Sequence, residues 1–203
     1  LVAASGGMTQ LVHHAFDAVA GEISPFVRRI HAIAKGSQLR IACPYLGLRV
    51  LRPILAEAKS WRLLTDAEEL LRSHAPSQRA ELLAFLLKHD RQVRHCRDLH
   101  AKVVAGDTSA LVGSANLTEM GLGRRQEMGV VLDDPALVAQ LHGWFDCLWN
   151  QCESVPNEEL NAFVDSLHRV LPETSKVRLT SIAPTVTAQV LAKSTREAPN
   201  VVD

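Results

Sequence analysis

The chain has 203 residues, enough for one domain with a small appendage. Lys and Arg total 22 and Asp and Glu total 22, which excludes a strongly basic or acidic protein but allows a local basic patch. No run approaches the roughly 18 apolar residues of a membrane span, so we expect no membrane association. The four cysteines form no C-x-x-C pair, and we interpret them as the reduced thiols of a cytoplasmic protein.

The first half of the chain is predicted to alternate helices and strands. A helix begins after Ser24-Pro25 and ends near Gly36, and the apolar run "QLRIACPYL" predicts a buried strand. Apolar spacing predicts a helix between residues 48 and 59, whose regular turns can start as late as Pro53. Further along we predict a strand at "WRLLT", a helix at "SQRAELLAFLLKH" and a strand at "RQVRHC".

In the second half, two β-rich runs flank "GDTS" and predict a hairpin, and "QEMGVVL" predicts another strand. Asp134 and Pro135 are expected to start a closing helix over "PALVAQLHGWFDCLWN". Its predicted core-facing stripe comprises Leu137, Leu141, Trp144, Phe145 and Leu148. One more helix is predicted at "NEELNAFVDSLHRVL", before a flexible tail. This order favours an α/β fold, a mixed β-sheet flanked by helices.

Several polar side chains are expected to converge at one end of the hairpin. His100 and Lys102 are two apart on one strand, and Ser114 and Asn116 are two apart after the other, so each pair shares a face. An imidazole, an ammonium, a hydroxyl and an amide suit a phosphoryl group, whose oxygens gather negative charge during transfer. Gly113 would let a ligand approach the backbone closely. Alternatively, the H-x-K spacing is accidental and the Ser and Asn are local caps.

The same residues resemble the HKD signature of the phospholipase D superfamily, H-x-K-x4-D followed by G-S-x-N. His100, Lys102 and Asp107 match its first part, and Gly113, Ser114 and Asn116 match its second part. The stretch "RRQEMGVVL" resembles the family's N-x-E-x-G strand and places Glu127 at the acidic position, although Arg125 stands where Asn is frequent. Five residues separate the Asp from the Gly where the family usually has six, which puts the role of Asp107 in doubt.

The resemblance spans residues 38 to 150 and implies a division of the chain. Residues 1–37 are expected to form an N-terminal helical segment, and residues 38–152 a phospholipase D-like domain with one HKD motif. Residues 153–203 are expected to form a C-terminal helix and a flexible tail.

The resemblance also implies a two-step phosphodiesterase reaction. His100 would attack phosphorus to give a phosphohistidine, and a second histidine would protonate the leaving oxygen. Lys102 and Asn116 would hold the phosphoryl oxygens, with Ser114 assisting. Glu127 would fix the imidazole tautomer, or it is an ordinary strand carboxylate. Asp107, although part of the motif, is more easily interpreted as a tie for the hairpin.

No metal or cofactor is expected, because no cluster of carboxylates or histidines surrounds the motif in sequence. His95 and Cys96 raise zinc as an alternative. In an extended strand, however, they point to opposite faces, and no second ligand pair follows.

Because the chain carries one motif and the mechanism needs two histidines, the resemblance predicts a homodimer with the active site at its interface. A missing second half of a longer chain is the alternative. Single-motif members are often nucleases, and "GSANLTEMGL" looks most like those members. Nucleic acid is therefore the expected substrate.

Further side chains are candidates for contacts with a nucleic acid. Tyr45 would border the pocket or simply pack in the core. Five arginines are available for flanking phosphates, or form a solvated surface: Arg91, Arg94, Arg97, Arg124 and Arg125. A lipid phosphodiesterase or transphosphatidylase remains a second interpretation, favoured if an apolar groove adjoins His100. A non-catalytic dimerising subunit of a repair or defence system remains a third.

Overall fold

The computed structural model describes residues 9–14, 23–155 and 157–170, which form eight strands and seven helices. The strands are β1 (Thr9–His13), β2 (Gln38–Ala42), β3 (Ser60–Thr65), β4 (Val93–His95), β5 (Val103–Ala105), β6 (Ala110–Gly113), β7 (Met128–Leu132) and β8 (Glu153–Ser154). The helices are α1 (Pro25–Ala34), α2 (Leu48–Glu57), α3 (Ala67–Ser73), α4 (Pro76–Lys88), α5 (Glu119–Gly123), α6 (Pro135–Gln151) and α7 (Asn157–Val170).

The eight strands make one mixed sheet in the order β1-β7-β6-β5-β2-β3-β4-β8. Strands β2, β3 and β4 run parallel, because a helical crossover joins each to the next, whereas the other neighbouring strands pair antiparallel. This arrangement confirms the predicted α/β class, with a mixed sheet flanked by helices. It also confirms the hairpin around "GDTS".

Two hydrophobic cores lie on the two faces of the sheet. The larger core contains Phe26 of α1, Leu51 of α2 and Leu86 of α4. The smaller core lies under α6, whose Phe145 is 1% exposed and packs with Val103 and Ala105. Because the two cores fix β5 from both sides, the hairpin that carries the motif is anchored in the centre of the sheet.

The ends of the chain depart from the expected division. Residues 9–13 form β1, which pairs with β7 and buries Val12. Helix α1 packs into the larger core. The described part of residues 1–37 is therefore not a separate helical segment. Such a short edge strand depends on its partner strand for stability, so its amino-acid sequence carries only a weak strand pattern. Helix α7, expected in the C-terminal segment, buries Leu160 and Val164 in the same core. The expected tail after residue 170 lies outside the described residues.

Two helices also differ from the pattern. Helix α2 starts at Leu48 and includes Pro53, because the carbonyl of Gly47 closes the first turn by accepting the N–H of Leu51 at 2.9 Å. In α6, Asp134 caps as predicted, but Leu137 and Trp144 are both 39% exposed and Val138 is buried instead. No helix in the described residues is long and apolar enough to cross a membrane.

Candidate active site

The site is built at the open end of the β5–β6 hairpin. Val103 pairs with Val112 and Ala105 with Ala110, so the two arms meet at "GDTS" and separate beyond Gly113. The N–H of Gly113 donates to the carbonyl of Lys102 at 3.1 Å, which is the last backbone bond between the arms. Beyond this point both arms are irregular, and their polar side chains emerge from the sheet.

His100 lies at the surface where the first arm enters the sheet. The chain leading to it is held by Asp98, which has a positive φ of 58° and donates its N–H to the buried carboxylate of Asp66 at 2.9 Å. Next to His100, Leu99 is buried in the core under α6. In the part of the chain that the structure describes, no hydrogen bond occupies the His100 imidazole, so both ring nitrogens are open to a ligand.

Lys102 is half-buried beside His100. Its ammonium donates to the carbonyl of His100 at 2.6 Å. Desolvation by burial lowers the pKa of Lys102, and the nearby Cys43 and Glu127 partly offset this effect. A partly desolvated cation binds an anionic oxygen more strongly than one in open water.

Ser114 and Glu127 are joined directly, which was not expected from the sequence. The hydroxyl of Ser114 donates to the carboxylate of Glu127 and accepts the N–H of Met128 at 3.1 Å. No hydrogen bond joins Glu127 to His100 within the described residues, so the role of Glu127 in orienting the imidazole stays a prediction. The observed partner of Glu127 is the hydroxyl.

Asn116 is positioned by a residue that the sequence pattern did not single out. Cys43, fully buried at the end of β2, accepts the N–H of Leu117 at 3.4 Å and donates to the carbonyl of Tyr45 at 3.2 Å. The Oδ1 atom of Asn116 lies 3.8 Å from the same sulfur. Burial raises the pKa of the Cys43 thiol to about 11, so it remains a neutral thiol at physiological pH. The only sequence signal was its position at the end of a buried strand.

Two further residues of the motif have structural explanations. Asp107 lies apart from this cluster, and Gly113 is required by the packing of a neighbouring strand. The Asp107 carboxylate, at the turn end of the hairpin, accepts the N–H of Gln38 at 3.2 Å. A Cβ on Gly113 would lie 2.6 Å from the carbonyl oxygen of Met128 and 2.8 Å from Cα of Gly129. The close approach of β7 therefore explains the glycine without a ligand.

A groove of about 870 Å³ opens beside the cluster and is lined by both His100 and Asn116. Arg49 and Arg125 contribute positive charge to the groove. Tyr45 also lines it, which agrees with the predicted alternative that this side chain borders the pocket. The remaining lining side chains are mixed in polarity. The apolar ones are Leu48, Val50, Leu82 and Met120, and the polar ones are Ser73, His74, Gln78, Glu81, Thr118 and Glu119. This surface is polar enough to bind a charged substrate that extends beyond one phosphate.

The zinc alternative finds no support around His95. Its Nδ1 accepts the N–H of Ala67 at 3.1 Å, which occupies one ring nitrogen with a structural bond. Among residues 9–14, 23–155 and 157–170, no group of three His, Cys, Asp or Glu side chains is arranged to hold a metal ion.

The chain matches a family model described as "Cardiolipin synthase, PLD-like domain" over residues 30–149, more than half of its length. The fold and the match define its class, that of the phospholipase D-like phosphodiesterases. The chain belongs to this family.

Solved structures show the same fold. Nuc from Salmonella typhimurium, a phospholipase D family member, has a TM-score of 0.53 and 18% identity, covering 73% of this chain and 98% of its own. NucT from Helicobacter pylori gives 0.54 and 16%, covering 73% and 99%. Phosphatidylserine synthase from Haemophilus influenzae gives 0.54 and 18%, covering 80% of this chain but 45% of its own. No curated protein matches the chain.

Proposed function

We propose that the protein is a metal-independent nuclease that cleaves phosphodiester bonds through a phosphohistidine at His100. The observation that carries the proposal is the open imidazole of His100 in the groove that Asn116 also lines, with the Lys102 ammonium beside it. These groups are a nucleophile and two hydrogen-bond donors for phosphoryl oxygens. Transfer of a phosphoryl group to water requires this set.

The reaction would proceed in two steps. A ring nitrogen of His100 attacks phosphorus, the bond to the leaving oxygen breaks, and a second, protonated imidazole gives that oxygen its proton. The second imidazole, now neutral, takes a proton from water as the water oxygen attacks phosphorus, and the bond between phosphorus and the His100 nitrogen breaks. Lys102 and Asn116 hold the phosphoryl oxygens throughout. Ser114 and Glu127 act as a pair, the carboxylate fixing the hydroxyl at the edge of the site.

The second imidazole would come from His100 of another copy of the chain. An exposed apolar surface adjacent to the cluster supports this proposal. Val130 lies opposite both Val112 and Leu11 in the sheet, and Met128 is two residues away on the same face. Leu11 is 61% and Met128 60% exposed, although α6 covers other strands on this face. Since Met128 directly follows Glu127, a second copy seated here would adjoin the half-site.

Two exposed arginines in the groove favour nucleic acid over a lipid headgroup. Glu81 is paired with Arg52 at 2.7 Å, and Glu119 reaches Arg49 only at 3.9 Å. Arg49 is 88% exposed at its side chain, and Arg125 is also exposed. Both arginines are therefore available for phosphates on either side of the cleaved one, which a polymer supplies and a single phospholipid does not.

The test incubates purified protein with plasmid, single-stranded DNA, RNA or phosphatidylcholine vesicles in excess EDTA, comparing the wild type with His100→Ala. Cleavage of nucleic acid that is lost in the variant is expected. Cleavage of the lipid alone, or strict dependence on Mg²⁺, contradicts the proposal. Light scattering tests the dimer separately, and a monomer near 22.2 kDa at assay concentration overturns that part.

The groove has its own test. The double variant Arg49→Ala/Arg125→Ala is expected to raise KM for nucleic acid roughly tenfold and to flatten its dependence on salt, with kcat little changed. Arg28→Ala, an exposed arginine on α1 that does not line the groove, is the matched control. An equal effect in the control would show that general charge, not the groove, is responsible.

A further inference from the structure

Two cysteines face each other at the β8 edge of the sheet. Cys96 directly follows β4, and Cys152 directly precedes β8. These strands pair antiparallel, with Arg94 opposite Ser154 and His95 opposite Glu153. Continuing this register by one residue places Cys96 opposite Cys152. Opposed residues of an antiparallel pair have Cα atoms about 4.5 to 5.5 Å apart. That spacing lies within the roughly 4.4 to 6.8 Å that disulfides span.

The backbone holds both residues in this arrangement. The N–H of Cys96 donates to the carbonyl of Thr65 at 2.9 Å, so Cys96 remains extended along the edge of β3. Cys152 terminates α6, where its N–H donates to the carbonyl of Leu148 at 2.9 Å and its own backbone is extended. Both side chains therefore occupy the same face of the sheet, in the core under α6.

The two thiols also interact. Burial, together with a hydrogen bond and a charge interaction with Cys152, raises the pKa of Cys96 to about 12. Cys96 is 7% exposed, whereas Cys152 is only partly covered. A dissolved oxidant therefore reaches Cys152 first, and Cys96 is the adjacent thiol that completes a bond.

We propose that Cys96 and Cys152 form a reversible disulfide, an oxidation site separate from the phosphodiesterase cluster. With oxidised glutathione as the oxidant, the Cys152 thiolate attacks one sulfur of the reagent, whose disulfide breaks and releases one glutathione thiolate. Cys96 then loses its proton to water or buffer, and the resulting thiolate attacks Cys152 Sγ, breaks its bond to glutathione and expels the second glutathione thiolate. Two protein thiols are oxidised by two electrons, and one small disulfide is reduced to two thiols.

The bond would connect the segment leading to His100 with the end of α6. Cys96 begins the short stretch that passes through Asp98 and Leu99 to His100. A disulfide would hold this stretch to α6 and would close a long loop of the chain, from residue 96 to residue 152. Loop closure restricts the unfolded chain, so oxidation is expected to raise Tm by about 5 to 15 °C.

The test treats the full chain with oxidised glutathione or with dithiothreitol, and maps disulfide-linked peptides by mass spectrometry. We expect a linked Cys96–Cys152 peptide in the oxidised sample only, forming faster at pH 9 than at pH 7 because Cys96 must ionise. Cys147→Ser is the matched control, since Cys147 is exposed on α6 and should not be needed.

Cys152→Ser is expected to abolish both the linked peptide and the rise in Tm. Because Cys152 is partly exposed, this variant keeps the test valid even if Cys96→Ser fails to fold. Equal linkage through Cys147, or only mixed disulfides with glutathione, would overturn the proposal. These readouts need no phosphodiesterase activity, so their outcome is independent of the proposed nuclease.

Discussion

The two ends of the β5–β6 hairpin differ in how their polar groups are used. At the turn end, the N–H of Gly106 donates to the carbonyl of Ser109, and the imidazole of His142 donates to the carbonyl of Gly106 at 2.8 Å. The Asp107 carboxylate accepts the N–H of Gln38. At the open end, the His100 imidazole has no partner in the described residues. The turn end is bonded to the rest of the fold, whereas the open end presents His100 and Asn116 to the groove.

This difference separates the residues of the family signature by physical role. Hydrogen bonds already made in the folded chain stabilise it, whereas an exposed group without a partner contributes little to stability and is available for binding or chemistry. Substitutions at the two ends should therefore affect different measurements.

The largest effect is expected for His100→Ala. Loss of the proposed nucleophile should reduce kcat on nucleic acid by at least about 10³-fold, while Tm stays unchanged because the side chain makes no hydrogen bond within the described residues. His142→Ala at the turn end should do the reverse, keeping kcat and lowering stability by about 1 kcal/mol. Denaturant unfolding and initial rates check both variants. A fall in Tm for His100→Ala would contradict the difference in role between the open end and the turn end of the hairpin.

Gly113→Ala comes next, because a Cβ there would meet backbone atoms of β7 that cannot move aside freely. We expect a loss of about 2 to 3 kcal/mol in the free energy of unfolding. Gly123→Ala, where a Cβ would meet nothing within 4 Å, is the matched control. If Gly113→Ala kept full stability but lost substrate binding, the glycine would serve the ligand and not the strand pairing.

Asp107→Ala should cost about 1 to 2 kcal/mol of stability, since the N–H of Gln38 loses its acceptor. Activity per folded molecule should remain within about twofold of the wild type, because the carboxylate lies at the turn end. Rates measured well below the Tm of the variant distinguish the two effects. A large fall in kcat at unchanged stability would return Asp107 to the catalytic set.

The smallest effect is expected for Asp146→Asn, in the region of the turn end. Burial of Asp146 raises its pKa, but hydrogen bonds from Arg40 and Arg62 outweigh burial and hold the pKa below its usual 3.8. Because the pKa is lower in the folded state, the ionised carboxylate stabilises the fold above about pH 4. This stabilisation is lost as pH falls through the pKa of the folded state. The stability gap between wild type and variant should therefore narrow from pH 6 towards pH 2. A gap independent of pH would show that the ion pairs contribute nothing.

Much of the fold was predictable, because local signals and packing agree. Pro135 with its Asp134 cap starts α6, and "GDTS" marks the hairpin turn, as the sequence predicted. The missed elements are those whose stability comes from distant partners. Strand β1 exists through its pairing with β7, and the short helix α3 is buried at Leu70 and Leu71, although its Asp66 cap is a local signal that the sequence did contain.

The sequence by itself identified the family and, through it, the phosphodiesterase class. The spacing of His100, Lys102, Ser114 and Asn116 matches the family signature, and such a spacing can be read locally because residues two apart on a strand share a face. Only the tertiary structure decided how each is supported, since those partners are far apart in the chain. It joined Ser114 to Glu127, placed Cys43 against Asn116, and tied Asp107 to Gln38. Long-range pairing also set Cys96 beside Cys152, a neighbourhood that no local pattern encodes.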